Sequence, residues 1–88
     1  MIVIIRDRGR AHKCRHRHRS AKTAARCAKE EAAGGGIGGP RTVTVYGDDG
    51  RAIFGFRTVT KVGRRAIWSA AAEVDVSADD TIDPEEWR

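Results

Sequence analysis

The sequence predicts an α+β domain in which one helix packs on an antiparallel sheet, in the order β-β-α-β-β-β. Short runs rich in β-branched residues are separated by turn residues, and a single alanine-rich stretch has the composition of a helix. A chain of 88 residues buries only a modest share of its surface, so one small domain with a thin stability margin is expected. We place this domain at residues 1–76 and an acidic C-terminal tail at residues 77–88.

The first half of the chain is expected to form a β-hairpin that leads into the helix. Ile2 to Ile5 is an apolar, β-branched run, and Asp7-Arg8-Gly9 has the chemistry of a turn. The returning strand is predicted over Arg10 to Arg19. Ser20 is a good N-cap for a helix over Ala21 to Ala33, whose alanines form one face. Such a face approaches a sheet closely but removes little area from water, so the helix needs further support.

The second half is expected to form a three-stranded meander. Gly34 to Pro40 ends the helix and is interpreted as a flexible link. Its glycines match G-x-G-x-x-G, but a dinucleotide-binding loop follows a strand and opens a helix, and the order here is reversed. The predicted strands are Thr42 to Tyr46, Arg51 to Val62 and Arg65 to Val76. We expect Phe54, Phe56 and Trp68 to form the bulk of the core, with a base-stacking surface as the alternative.

The last twelve residues are acidic. Asp83-Pro84-Glu85-Glu86 has the pattern of a helix start, with room for one turn. Trp87 is a large apolar residue in this polar segment, and we expect it to dock on the body of the domain or on a partner.

Charge is distributed unevenly along the chain. Residues 1–33 carry a net charge of +7, residues 34–65 carry +4, and residues 66–88 carry −6. A basic body with an acidic tail favours a polyanionic partner, usually nucleic acid. A solvated, solubilising surface is the alternative interpretation.

The stretch from Arg10 to Cys27 carries two sets of side chains that alternate. At the strand period of two, Cys14, His16 and His18 share one face with His12. A helical Cys27 could return to the same place and complete a tetrahedral Zn²⁺ site. The candidate metal ligands are Cys14, His16, His18 and Cys27, with His12 in reserve. Two buried thiols without a cofactor, or a disulfide, are the alternatives.

The other face of this stretch is basic and continues onto the helix. The candidate nucleic-acid-binding residues are Lys13, Arg15, Arg17, Arg19, Lys22 and Arg26. Alternate strand residues lie about 6.6 Å apart, a spacing suited to successive phosphates. No aromatic residue lies among these cations, so binding led by the phosphate backbone is expected. The motifs of hydrolases and metalloproteases are absent, so we do not expect an enzyme.

The pattern C-x-H-x-H-R-[ST]-x3-A-x2-C-A, which begins at Cys14 and ends at Ala28, resembles that of small uncharacterised accessory proteins of actinobacterial viruses. The β-β-α-β order also resembles HicB-like and double-stranded-RNA-binding-like folds. The resemblance implies a small phage-type accessory protein, of a kind that often binds nucleic acid or a host protein.

The expected function is therefore non-enzymatic nucleic-acid binding in the cytoplasm of a host cell. The alternatives are a protein-binding inhibitor of a host factor, similar to an anti-CRISPR and using Trp87, and a structural component of a virus particle. No apolar run is long enough to span a bilayer, and neither a membrane nor a small-molecule substrate is expected as a partner.

Overall fold

A computed structural model describes residues 1–36 and 38–87, and over these residues it shows one helix packed on a five-stranded antiparallel sheet. The elements are β1 (Ile2–Asp7), β2 (Arg10–Lys13), α1 (Ala21–Ala33), β3 (Arg41–Tyr46), β4 (Ala52–Val62) and β5 (Ile67–Val74). The strands lie in the order β2-β1-β3-β4-β5, so the predicted fold class and element order are confirmed. Ile37 of the predicted link and Arg88 of the predicted tail lie outside the described residues.

Strand β2 is much shorter than predicted. It ends at Lys13, and residues 14–20 form an irregular segment. The prediction of a strand that continues to Arg19 was therefore wrong. The cause is the register of the hairpin, in which Lys13 lies opposite Ile4 near the start of β1. Only Val3 and Ile2 precede Ile4 on β1, so a strand continuing to Arg19 would have run past the end of its partner strand. The turn itself is a two-residue hairpin loop in which Arg8 and Gly9 both have positive φ, at 52° and 78°.

Helix α1 begins as predicted and buries one face against the sheet. The Thr23 backbone N–H donates to the Ser20 hydroxyl at 3.3 Å, which confirms Ser20 as the N-cap. The buried helix residues are Ala24, Cys27, Ala28 and Ala32. The sheet side of this core consists of Val3, Ile5, Val43, Val45 and Phe56. Alanines bring the backbone of α1 close to the sheet, as expected, while the larger side chains of the core come from the sheet.

Trp68 does not belong to this core. Its side chain is 48% exposed, whereas Phe56 is only 4% exposed and Phe54 is half-buried. The prediction was wrong because strands β4 and β5 continue beyond β3. Strand β3 pairs with β4 only as far as Arg57, while β4 and β5 remain paired out to Val62 and Ile67. Residues 59–70, here called the hairpin arm, therefore project from the sheet as two strands and a turn.

The segment that follows β5 folds back onto the body of the domain. The Asp80 carbonyl accepts from the Ala52 N–H at 3.0 Å, and the Ile82 N–H donates to the Gly50 carbonyl at 2.8 Å. Tyr46 is fully buried on the sheet face opposite α1, and its hydroxyl donates to Asp80 Oδ1 at 2.8 Å. Part of the predicted tail thus covers the second face of the sheet.

The chain continues from this docked segment into a turn over residues 84–87, where Trp87 is half-buried. Among the described residues no helix has both the length and the apolar character needed to span a bilayer.

Candidate metal centre

The irregular segment after β2 is held against β1 at both of its ends. The Cys14 N–H donates to the Val3 carbonyl at 3.0 Å, which places the Cys14 side chain beneath α1. At the other end, the terminal ammonium of Met1 donates to the His18 carbonyl at 3.3 Å. Ser20 then starts the helix, so Cys27 returns two turns later on the buried face of α1.

These two elements bring together four side chains with metal-binding atoms. We call Cys14, His16, His18 and Cys27 the Cys/His cluster; one donor atom from each lies within 4.8 Å of all the others. Cys14 Sγ is 3.1 Å from His18 Nε2, and Cys27 Sγ is 4.0 Å from His16 Nδ1. The Cys14 thiol also donates to the His16 carbonyl at 3.6 Å, which stabilises the bend between the two residues. Both cysteines are free thiols.

The cluster lies at the boundary between the core and the surface. Cys14 is 5% exposed and Cys27 is 9% exposed, whereas His18 is half-buried and His16 is exposed. The thiols are therefore shielded by protein, and the imidazoles close the cluster on the solvent side. The sequence predicted this grouping from the strand period, but a bend produces it. His12 lies on exposed strand β2 and is not part of the cluster.

Burial and crowding favour the neutral forms of two cluster side chains. Burial, the nearby Cys14 and the carboxylates of Glu31 and Glu30 together raise the pKa of the Cys27 thiol to about 12. Burial also lowers the pKa of His18 below its ordinary 6.5, helped by His16 and the terminal ammonium. A neutral imidazole has a lone pair available for a metal, while a thiol loses its proton when it ligates one.

Glu30 and Glu31 also lie near the Cys27 thiol, and the sequence pattern did not indicate them. They follow Cys27 by three and four residues, a spacing that places them on the same side of the helix one turn later. Helical spacing from Cys27 is the signal that could have found them. The Glu31 carboxylate is also engaged by Arg41, 3.3 Å from its Nη1, so it is tied to β3 as well.

The predicted basic residues are all exposed, but they do not form a regular row. The six are Lys13, Arg15, Arg17, Arg19, Lys22 and Arg26, here called the basic set. Only Lys13 lies in a strand, so the even spacing of about 6.6 Å expected from a strand over residues 10–19 is not present. Lys22 and Arg26 are one turn apart on α1 and line a shallow surface with Lys29.

The assignment of these residues rests on their geometry and chemistry. Two thiols and two imidazoles in one small volume form a donor set that divalent metals of intermediate softness prefer. No protein-family model, no curated protein and no solved structure matches this chain.

Proposed function

We propose that this chain is a small zinc-binding domain in which the metal has a structural role. The observation that supports the proposal is that one donor atom from each of Cys14, His16, His18 and Cys27 lies within 4.8 Å of the others. Four protein ligands fill the tetrahedral shell of Zn²⁺ and leave no open position for a substrate. The proposed metal therefore stabilises the fold and does not carry out a reaction.

The cluster fits the size of a zinc site. Zn–S bonds of about 2.3 Å and Zn–N bonds of about 2.0–2.1 Å place the donor atoms of a tetrahedral site roughly 3.3–3.8 Å apart. The cluster has separations of 3.1 Å and 4.0 Å between two of its donor pairs and none above 4.8 Å. Shifts of about 1.5 Å at most between donor atoms would complete the site, a movement that side-chain rotation can supply.

A metal at this site would strengthen the contact between helix α1 and the sheet. Helix α1 packs on the sheet mainly through alanines, which remove little area from water. Zn²⁺ bound to Cys27 on α1 and to Cys14 beside β1 would connect the helix directly to the sheet. It would also fix the irregular segment that contains both histidines. Metal binding supplies folding free energy in small domains of this kind.

The experiment compares metal content and thermal stability in wild-type protein and two matched variants. Wild-type protein and His12→Ala should each bind one Zn²⁺, because His12 lies on the adjacent strand outside the cluster. Cys27→Ala should lose the metal, and chelation should lower the Tm of wild-type protein toward that of this variant. A zinc-to-protein ratio near zero, or equal retention by Cys27→Ala, would contradict the proposal.

We further propose that the domain binds nucleic acid through the phosphates. The six side chains of the basic set are exposed, and all except Lys13, the last residue of β2, lie on the segment and the helix that the metal would fix together. Ordering the segment beforehand reduces the entropy lost when these cations engage phosphates. Binding should then weaken with salt, by a slope of about 0.9 per phosphate contact on duplex DNA.

Substitution within the basic set tests this second part. Replacing Arg15, Arg17 and Arg19 together by glutamine should lower the affinity for duplexes of unrelated sequence by a similar factor. The slope of the salt dependence should fall by about 2.7. Arg51→Gln is the matched control, because Arg51 is exposed but lies beside the Asp49 carboxylate on the hairpin between β3 and β4. Unchanged affinity of the triple variant, or capture of a protein that persists after nuclease treatment, would favour the alternative of a protein-binding inhibitor.

A further inference from the structure

The hairpin arm combines exposed cations with an exposed aromatic side chain. No Asp or Glu occurs between Asp49 and Glu73, and the arm carries three cations within this stretch. They are Lys61, Arg64 and Arg65, and all three are exposed. A projecting two-stranded segment with this charge attracts polyanions and repels other basic surfaces.

Trp68 has a defined position on this arm. By the register of the two strands it lies directly opposite Lys61, so an indole and an ammonium group are adjacent on one face. A Cβ on Gly63 would come within 2.7 Å of Trp68 Cζ3, so the six-membered ring rests over this glycine. The ring is supported by the turn on one side while 48% of the side chain remains exposed.

We propose that the hairpin arm is a binding surface for single-stranded nucleic acid, with a base stacked on Trp68 and adjacent phosphates contacted by Lys61, Arg64 and Arg65. This proposal rests on the proposed nucleic-acid function and adds a second, separate contact to it. An aromatic ring with a free face stacks on any unpaired base, whatever the sequence. Duplex DNA is a poorer fit, because inserting a side chain between paired bases requires unstacking them.

The arrangement also defines a positioning role for Gly63. Any side chain at this position would displace the indole from the turn. Gly63→Ala should therefore weaken binding although Trp68 and every cation are retained. Trp68 is the exposed apolar residue of the arm that lies over Gly63. Ile67 is 58% exposed but lies on the opposite face of the ribbon, so it serves as a matched control.

The test measures the affinity of a fluorescent oligothymidylate by anisotropy at low salt. Trp68→Ala should weaken binding roughly 5- to 150-fold, the effect of losing one stacked base. Trp68→Phe should restore part of the loss, and Ile67→Ala should have no effect. In a Trp87→Phe background, the remaining tryptophan fluorescence comes from Trp68 alone and should be quenched on binding. Circular dichroism checks that each variant remains folded.

The outcomes separate this proposal from the proposed function. If wild-type protein binds the oligonucleotide and Trp68→Ala binds it equally well, the arm proposal is overturned and the basic set remains. If wild-type protein binds duplex but not single strands, the arm proposal is also overturned. If neither form binds, both nucleic-acid proposals fail while the zinc site stands. Equal losses for Trp68→Ala and Ile67→Ala, with self-association in sedimentation, would show that the arm contacts a second copy and would overturn the proposal.

Discussion

The hydroxyl of Tyr46 is expected to hold the C-terminal segment on the sheet. It donates to Asp80 Oδ1 at 2.8 Å and accepts from Arg6 Nη2 at 2.9 Å. Hydrogen bonds to charged groups contribute about 1.5–3 kcal/mol each. Tyr46→Phe removes both bonds without opening a large cavity, and Asp80 and Arg6 are only half-buried and can regain some water. We expect a loss of about 2 kcal/mol, equivalent to a Tm lower by about 8–16 °C in a domain of this size.

A double-mutant cycle measures the bond itself. Tyr46→Phe and Asp80→Asn are compared singly and together by urea denaturation, and their effects should be non-additive by about 0.5–3 kcal/mol. Asp79→Asn is the matched control, since Asp79 is adjacent and exposed. A loss below about 0.5 kcal/mol in Tyr46→Phe, or strict additivity with Asp80→Asn, would refute the reasoning, because the segment would then be held by other contacts.

Three further predictions concern single groups. Thr58→Val should lower the free energy of unfolding by about 1–3 kcal/mol, because the buried Thr58 hydroxyl accepts from the Arg41 N–H and donates to the Ala32 carbonyl. Thr60 is exposed on the same strand, so Thr60→Val should change the free energy of unfolding little. Ser20→Ala should cost about 1 kcal/mol through loss of the helix cap, and Ser20→Asp should not. Tyr46, the sole tyrosine, has a pKa raised above its ordinary 10.0 by burial and by Asp80, so its tyrosinate absorbance should appear only above pH 10. The neutral form is favoured in the fold, so the related stability is complete below pH 10 and is lost as the pH rises through the folded pKa.

Local signals in the sequence were sufficient for the fold class. Ser20 marks the start of the helix through its own hydrogen bond, and the Arg8-Gly9 turn depends on backbone conformations that the sequence predicts directly. The length of β2 could not be predicted in this way. It depends on how many residues precede Ile4 on the partner strand, which is a property of the register. The exposure of Trp68 likewise depends on where β3 ends relative to β4 and β5.

The Cys/His cluster was predicted from an incorrect local structure. Strand alternation and the observed bend both turn Cys14 and His18 toward the body of the domain, although His16 between them is exposed. Helical spacing places Cys27 at the edge of the alanine face, yet Cys27 is buried. The orientation of α1 about its axis determines this, and that orientation follows from packing against Phe56 and the β3 valines. Residue types thus indicated the cluster, and tertiary packing determined its shape.

The acidic segment over residues 77–88 could compete with a polyanion for the basic set, but its position argues against that role. Its backbone pairs with Gly50 and Ala52, and Asp80 bonds to Tyr46 on the sheet face opposite α1. The basic set lies on α1, on the segment before it and at the end of β2, so the docked acids and these cations are on different parts of the molecule. Deleting residues 77–88 would therefore uncover Tyr46 and weaken the fold, so the effect of the charge could not be separated from the loss of stability. Replacing Asp79 by Asn and Glu86 by Gln is the informative experiment, because both side chains are exposed and only the charge changes. A large gain in nucleic-acid affinity at unchanged Tm would show that the acidic segment competes for the basic set.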